Sequence, residues 1–192
     1  MSDQIDQAPD AGHLAEEVEQ LRARVAQLQA RVEQLDQLAH QDALIDLPNR
    51  RGFLRELERL TAKVARYGTS AAMLFVDLDG LKMINDTFGH RAGDAALIQV
   101  AAMLGQGTRR SDLVARIGGD EFGILLENAD EEAAHETASR LIDLICSSAL
   151  LHEGDELPLS VAIGVTMIAG TDAPEDVMHR ADEEMYRRKA AA

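Results

Sequence analysis

Two adjacent carboxylates follow a pair of glycines in the stretch Arg116-Ile117-Gly118-Gly119-Asp120-Glu121-Phe122-Gly123. Its flanks, Asp112 to Ile117 and Phe122 to Glu127, are rich in Val, Ile, Leu and Phe and predict two strands joined by a hairpin. The glycines are expected to supply the positive φ angles of a tight turn, lifting Asp120 and Glu121 to the tip of a sheet beside bare backbone. Like charges so placed repel unless a cation or donor lies between them, so the chemistry this favours is metal binding. Alone, the stretch fits a solvated turn with ordinary surface acids equally well. A second acidic stretch, Asp77-Leu78-Asp79-Gly80, follows the apolar run from Ala71 to Val76, and acids two apart share one side of a strand. If that strand neighbours the hairpin, Asp77 and Asp120 converge at one sheet edge and can hold one or two Mg2+ ions. Such a site suits phosphoryl or nucleotidyl transfer, where one ion activates a hydroxyl and both offset charge on the phosphorus oxygens. Lys82 is near enough in sequence to reach a phosphate. Asn85 and Asp94 offer the donor and acceptor that read a purine edge.

The elements that must position these residues follow from the chain order. Residues 1–12 are polar, contain Pro9 and Gly12, and predict a flexible tail. Over 13–41, Leu14, Val18, Leu21, Val25, Leu28, Val32, Leu35 and Ala39 recur at spacings of 4, 3, 4, 3, 4, 3 and 4. This heptad seam, with Val at a and Leu at d, predicts a parallel two-stranded coiled coil of about 40 Å at 1.5 Å per residue. In that dimer Glu17 faces the partner's Arg22, and Arg31 faces the partner's Asp36. The stalk therefore predicts homodimerisation. Leu47-Pro48-Asn49-Arg50 opens a domain over 42–192, with a helix from about 50 to 67. Further helices are expected over 92–104, 130–150 and beyond Thr171-Asp172, which read as a cap ahead of Pro174. Leu157 to Ile168 alternate like a strand. Strands alternating with helices around a central hairpin predict an α/β (α+β) sandwich with a mixed or antiparallel sheet.

Composition bounds the function. The 192 residues carry 34 acids against 19 bases, a formal net charge of -15, which argues against nucleic acid or an anionic membrane as a partner. A nucleotide remains compatible, because a metal can sit between phosphates and carboxylates. Hydrophobic residues make up 46% of the chain, enough for a core. The single cysteine, Cys146, excludes an intrachain disulfide and reads as a buried small residue. No run of 18 apolar residues and no secretory segment is present, so a cytoplasmic protein without direct membrane insertion is expected.

Asp77-Leu78-Asp79-x-x-Lys82-x-x-Asn85-Asp86-x-x-Gly89-His90-x-x-Gly93-Asp94, followed by Gly118-Gly119-Asp120-Glu121-Phe122, resembles the GGDEF family of diguanylate cyclases. Asp42-x-Leu44-x-x-Leu47-Pro48-Asn49-Arg50 is similar to the family's opening motif, and Tyr186-x-x-Lys189 to the start of its last. The resemblance implies a nucleotide-cyclase-like palm and the condensation of two GTP into cyclic di-GMP with release of two pyrophosphates. It implies that Asp77, the Leu78 carbonyl and Asp120 hold two Mg2+ or Mn2+ ions with help from Glu121, and that Asp120 accepts the 3′-hydroxyl proton. Asn85 and Asp94 would then read guanine, His90 would shape the pocket, and Lys82 and Lys189 would contact phosphates. Gly118 and Gly119 would let the nucleotide lie against the backbone. Each protomer would hold one GTP, so two domains must meet, and the stalk would tether or control them.

The same resemblance makes Arg109-Arg110-Ser111-Asp112, with five residues between Asp112 and Gly118, an RxxD inhibitory site where Arg109 and Asp112 bind product. Arg140 is a candidate second guanidinium there. Two departures stand out. Ile45 and Asp46 replace the family's usual Thr-Gly, and the Gly-Arg-Asn that normally follows Lys189 is absent, which predicts weaker GTP binding. The rival reading is a catalytically weak module that binds GTP or cyclic di-GMP and signals through its coiled coil, with an upstream sensor protein as a possible partner.

Overall fold

The computed structural model describes residues 11–191, so most of the expected 1–12 tail lies outside the described residues. The chain divides into two compact units between Ala39 and His40. The first is the helix α1 (Ala11–His40). Its Leu and Val seam faces solvent along its length, from Leu14 to Leu35, in the single chain. Arg22 pairs with Glu19 one turn back at 2.8 Å.

The second unit runs α2 (Arg50–Tyr67), β1 (Ala71–Leu78), α3 (Leu81–Phe88), α4 (His90–Gln106), β2 (Leu113–Arg116), β3 (Glu121–Glu127) and α5 (Glu131–Cys146). It ends with β4 (Ala149–His152), β5 (Asp155–Pro158), β6 (Val161–Met167) and α6 (Pro174–Ala191). Four strands form one sheet in the order β2-β3-β1-β6, and every pairing is antiparallel. β4 and β5 form a separate hairpin. No helix among the described residues is long and apolar enough to cross a membrane.

Helices cover both faces of the sheet, and the pleat assigns residues to them. In β1 the even positions Ala72, Leu74, Val76 and Leu78 pack with Ala96, Val100 and Leu104 of α4 and Leu141 of α5. The odd positions Ala71, Met73 and Phe75 pack with Phe53 and Leu57 of α2 and Val177, Ala181 and Met185 of α6. β3 alternates the same way, Phe122, Ile124 and Leu126 on the first face and Leu125 on the second. Fully burying one such side chain contributes roughly 1.5–3 kcal/mol, so the pleat is strongly held in register. Gly123 leaves room for the Phe53 ring, whose edge would lie 2.6 Å from an added Cβ.

Local signals account for the ends of the elements. The Asn49 side chain accepts from Arg51 and Gly52 N–H groups, and Gly68 at φ 65° closes α2. Gly80 (φ 71°) turns β1 into α3, and Gly89 (φ 84°) turns α3 into α4. The structure corrects five expectations. The short helix α3 precedes the one expected from 92, and α4 starts at His90. The helix over 130–150 stops at Cys146, which is exposed rather than buried. The strand expected over 157–168 splits into β5 and β6 at Leu159 and Ser160, and β5 pairs instead with β4 across a turn in which Glu153 and Gly154 adopt φ 51° and 99°. Asp172 accepts from Ala169 N–H at 2.8 Å and so closes the preceding turn instead of capping α6.

Candidate active site

Antiparallel pairing of β1 with β3 sets Asp77 opposite Glu121, and Leu78 N–H donates to the Asp120 carbonyl at 2.9 Å. The pleat then distributes the carboxylates. Asp77 and Glu121 continue the odd side, toward α2 and α6, where Asp182 and Arg50 act on Glu121. Asp120 lies on the other side, in an open groove of about 400 Å³ with Lys82 and Asn85 of α3 and His90, Gly93 and Asp94 of α4. Leu78 itself is buried. Two adjacent acids thus reach the same sheet end from opposite faces.

The hairpin glycines do a different job from the one expected. Neither Gly118 nor Gly119 is among the glycines with positive φ. Ile117 and Gly118 N–H groups both donate to the Glu121 carbonyl, at 2.9 and 3.2 Å. A Cβ on Gly118 would lie 2.0 Å from Glu121 Oε2, so the glycine is needed for the Glu121 carboxylate to fold over the turn. Gly119 opens on empty space and lines the groove. In the groove wall, a Cβ on Gly93 would lie 2.1 Å from Asn85 Oδ1, so Gly93 makes room for the Asn85 amide.

The electrostatics of this edge are under-compensated. Burial pushes the Asp77 carboxyl above the usual carboxylate range; Asp120 and Asp79 add to the rise, and Lys189 opposes it without cancelling it. Burial likewise raises Glu121, with Asp120, Asp182 and Asp77 adding to it and Arg50 opposing. The Lys189 ammonium donates to Asp77 Oδ1 at 2.5 Å and lies 3.1 Å from Asp79 Oδ1. These two carboxylates raise the Lys189 pKa, the hydrogen bond to Asp77 most of all. Among the described residues no three acidic, histidine or cysteine side chains converge as a ready-made cation cage. A cation nevertheless already sits between Asp77 and Asp79, in the form of this ammonium. Hard carboxylate oxygens gathered around a resident positive charge are a donor set that suits Mg2+ or Mn2+.

Lys189 therefore stands on the carboxylates and is not among the groove-lining residues. Three contributors were not singled out from sequence. Asp79 shares Lys189 with Asp77, and the spacing of two is the signal for it. Ser160 Oγ donates to Asp79 Oδ2 at 3.0 Å, and no sequence signal marks it. Arg116 donates to Asp42 Oδ1 at 3.2 Å and to the Gly119 carbonyl at 2.7 Å, tying the hairpin turn to the opening motif. Its Nε is buried without a partner. Asp42 also accepts from Leu44 and Ile45 N–H groups, both at 3.0 Å, so the turn forms with Ile45 and Asp46 in place.

Elsewhere, Arg109, Asp112 and Arg140 line one small pocket of about 20 Å³ with Leu126, Ala129 and Thr137. Asp112 Oδ2 accepts from Arg109 N–H at 2.8 Å, which fixes the turn, and Arg140 Nη1 donates to the Gly107 carbonyl at 2.6 Å.

Comparison with known proteins bears on this geometry. The family described as "Diguanylate cyclase, GGDEF domain" matches residues 39–192. The chain is 37% identical over 155 residues to "Diguanylate cyclase DgcP" of Pseudomonas aeruginosa, covering 81% of this chain and 23% of that protein. It is 35% identical over 158 residues to "Response regulator PleD" of Caulobacter vibrioides, covering 81% of this chain and 35% of that one. It thus spans between about a quarter and a third of the length of these curated relatives. Among solved structures, the coiled coil and GGDEF domain of DgcB from Caulobacter crescentus, in complex with c-di-GMP, superposes with a TM-score of 0.85 at 27% identity. That match covers 93% of this chain and 95% of that one.

Proposed function

Since the chain belongs to the GGDEF diguanylate cyclase domain family, we propose that it condenses two GTP molecules into cyclic di-GMP and two pyrophosphates. The observation that carries this reading is the meeting of Asp77, Asp120 and Glu121 at one sheet end, beside a groove lined by Lys82, Asn85, His90 and Asp94. Asn85 and Asp94 offer opposite hydrogen-bonding characters to a guanine edge, and a carboxylate that accepts from ring and amino N–H groups rejects adenine. Lys82 and, once released, Lys189 bind phosphates. The bare backbone of Gly119 lets the nucleotide approach the turn, and the Arg116 bond to the Gly119 carbonyl keeps that turn in place. Asp77, the Leu78 carbonyl, Asp120 and Glu121 would hold two Mg2+ or Mn2+ ions, which supply charge neutralisation at the phosphorus oxygens and acidify the attacking hydroxyl. Asp120 accepts the 3′-hydroxyl proton.

Each domain holds one GTP, so the 3′-hydroxyl of one must meet the α-phosphate of the other. The solvent-facing Leu and Val seam of α1 supports a parallel coiled-coil dimer as the device that brings two domains together. The shared pocket of Arg109, Asp112 and Arg140 supports product inhibition, in line with the c-di-GMP complex of the DgcB structure. An upstream sensor protein would act through the stalk.

Purified protein, freed of bound nucleotide and given GTP with Mg2+, is expected to release two pyrophosphates per cyclic di-GMP and to leave ATP untouched. Pyrophosphate release without cyclic di-GMP, or equal use of ATP, contradicts the reading. Added cyclic di-GMP is expected to inhibit wild type and to inhibit Arg109→Ala at least about tenfold less potently, as loss of one charge-assisted contact implies. Equal inhibition of both proteins removes the inhibitory site.

A further inference from the structure

The placement of Lys189 is built into the fold. Met178, Ala181 and Met185 form the buried stripe of α6, and Lys189 is the next residue at helical spacing on that face. The stripe is locked in register by close approach to β6, because a Cβ on Gly164 would lie 2.1 Å from the Ala181 carbonyl oxygen. The helix therefore delivers an ammonium to the end of the sheet at the height of Asp77 and Asp79. Its receptor is equally fixed. Asp79 N–H donates to the Ser160 carbonyl at 2.9 Å and its Oδ2 accepts from Ser160 Oγ, which leaves Oδ1 for the lysine. Asp77 is largely enclosed, with a side chain 14% exposed, whereas the Lys189 side chain is 42% exposed and has solvent to swing into.

We propose that Lys189 is a displaceable internal cation: in the nucleotide-free protein it occupies Asp77 and Asp79 and competes with a divalent ion, and it yields when a nucleoside triphosphate offers its phosphates to the ammonium instead. This rests on the reading of Asp77 as a metal ligand. Two consequences follow from the geometry. A divalent ion alone meets a site whose charge is already partly neutralised, so it binds weakly. A nucleoside triphosphate draws the lysine away and exposes the carboxylates, so metal and nucleotide bind with positive coupling, each strengthening the other by the same factor. The flexible four-carbon stem and rotatable donors of lysine suit it to such an exchange.

The test is a Mn2+ titration of the nucleotide-free protein, read by the electron paramagnetic resonance of free Mn2+, for wild type, Lys189→Met, Lys189→Arg and Asp77→Asn. Lys189→Met keeps the length of the side chain and removes its charge; it is expected to bind Mn2+ about fivefold to tenfold more tightly than wild type. Lys189→Arg keeps the charge and is expected to remain within about twofold of wild type. A non-hydrolysable GTP analogue should tighten Mn2+ binding strongly in wild type and much less in Lys189→Met. Thermal melting of all four proteins confirms that they are folded. If Asp77→Asn loses Mn2+ while Lys189→Met binds it no more tightly than wild type, the displaceable cation is overturned and the metal site stands. If wild type and Lys189→Met bind no Mn2+, or Asp77→Asn binds it as wild type does, both the inference and the assignment of Asp77 as a metal ligand are overturned.

Discussion

The two ends of the central sheet carry charged clusters of opposite character. Where β6 ends, burial of Asp172 would raise its pKa, but hydrogen bonds from Arg180 and the Ala169 N–H outweigh it and hold the carboxyl below its ordinary value. The Arg180 guanidinium reaches Asp172 Oδ2 at 2.7 Å and the Met167 carbonyl at 3.2 Å. Lys63 pairs with Glu127 where β1 starts and β3 ends, so this end is satisfied. At the other end Asp77 and Glu121 are held above their ordinary values, and one lysine serves two acids. One end uses its charges for stability and the other keeps them under-compensated, as the proposed cation site requires.

The sharpest way to break this comparison is Glu121→Gln. Because the folded pKa of Glu121 is raised, its stabilising contribution is present below the unfolded pKa and is lost as pH rises through the folded one. At neutral pH the charge costs stability, so Glu121→Gln is expected to raise the Tm of the metal-free protein by roughly 2 °C while lowering turnover about a hundredfold or more. The two melting curves should converge as pH falls below the unfolded pKa. A lower Tm at neutral pH would mean the edge is not strained. In the metal-free protein the same shifts let protons compete with the ion for the proposed ligands Asp77 and Glu121, so the Mg2+ concentration that gives half-maximal activity is expected to rise as pH falls.

Gly93→Ala comes next. Its Cβ displaces the Asn85 amide, so KM for GTP should rise about tenfold with a smaller change in kcat. An unchanged KM removes Asn85 from base reading. The smallest effect belongs to the satisfied end. Asp172→Asn is expected to lower Tm by about 2–4 °C and leave kcat/KM unchanged. With a lowered folded pKa, the Asp172 contribution is present above the unfolded pKa and lost as pH falls through the folded one, so the deficit of the variant should vanish in acid.

What was legible in the sequence divides along the same lines. β1, β3, α2 and the stretch that carries Asp77, Asp120 and Glu121 are written in local pattern: an apolar run, a Gly-Gly pair, Asn49 before a helix. The antiparallel neighbours that bring Asp77 opposite Glu121 follow from strand adjacency, which the sequence could pose only as a condition. The job of Gly118 is not legible in the sequence, because a glycine needed for the close approach of a side chain looks the same there as one needed for positive φ. The β4-β5 hairpin was hidden because Ala149-Leu150-Leu151 continue the apolar pattern of α5 and no Asn-Gly or Asp-Gly marks the turn. Ser160 and the pairing of Lys189 with Asp77 and Asp79 depend on contacts between residues far apart in the chain, and no periodicity reports them.

If this under-compensated edge performs the condensation, cyclic di-GMP formation by nucleotide-stripped wild type beside Asp120→Asn, at equal concentrations of folded protein, is the decisive measurement. Asp120→Asn keeps the shape of the turn and removes one negative charge from the groove. Wild type is expected to form product and the variant at least about a thousandfold less, with a variant Tm no lower than that of wild type in the absence of metal. Product from Asp120→Asn at a rate near that of wild type would contradict it.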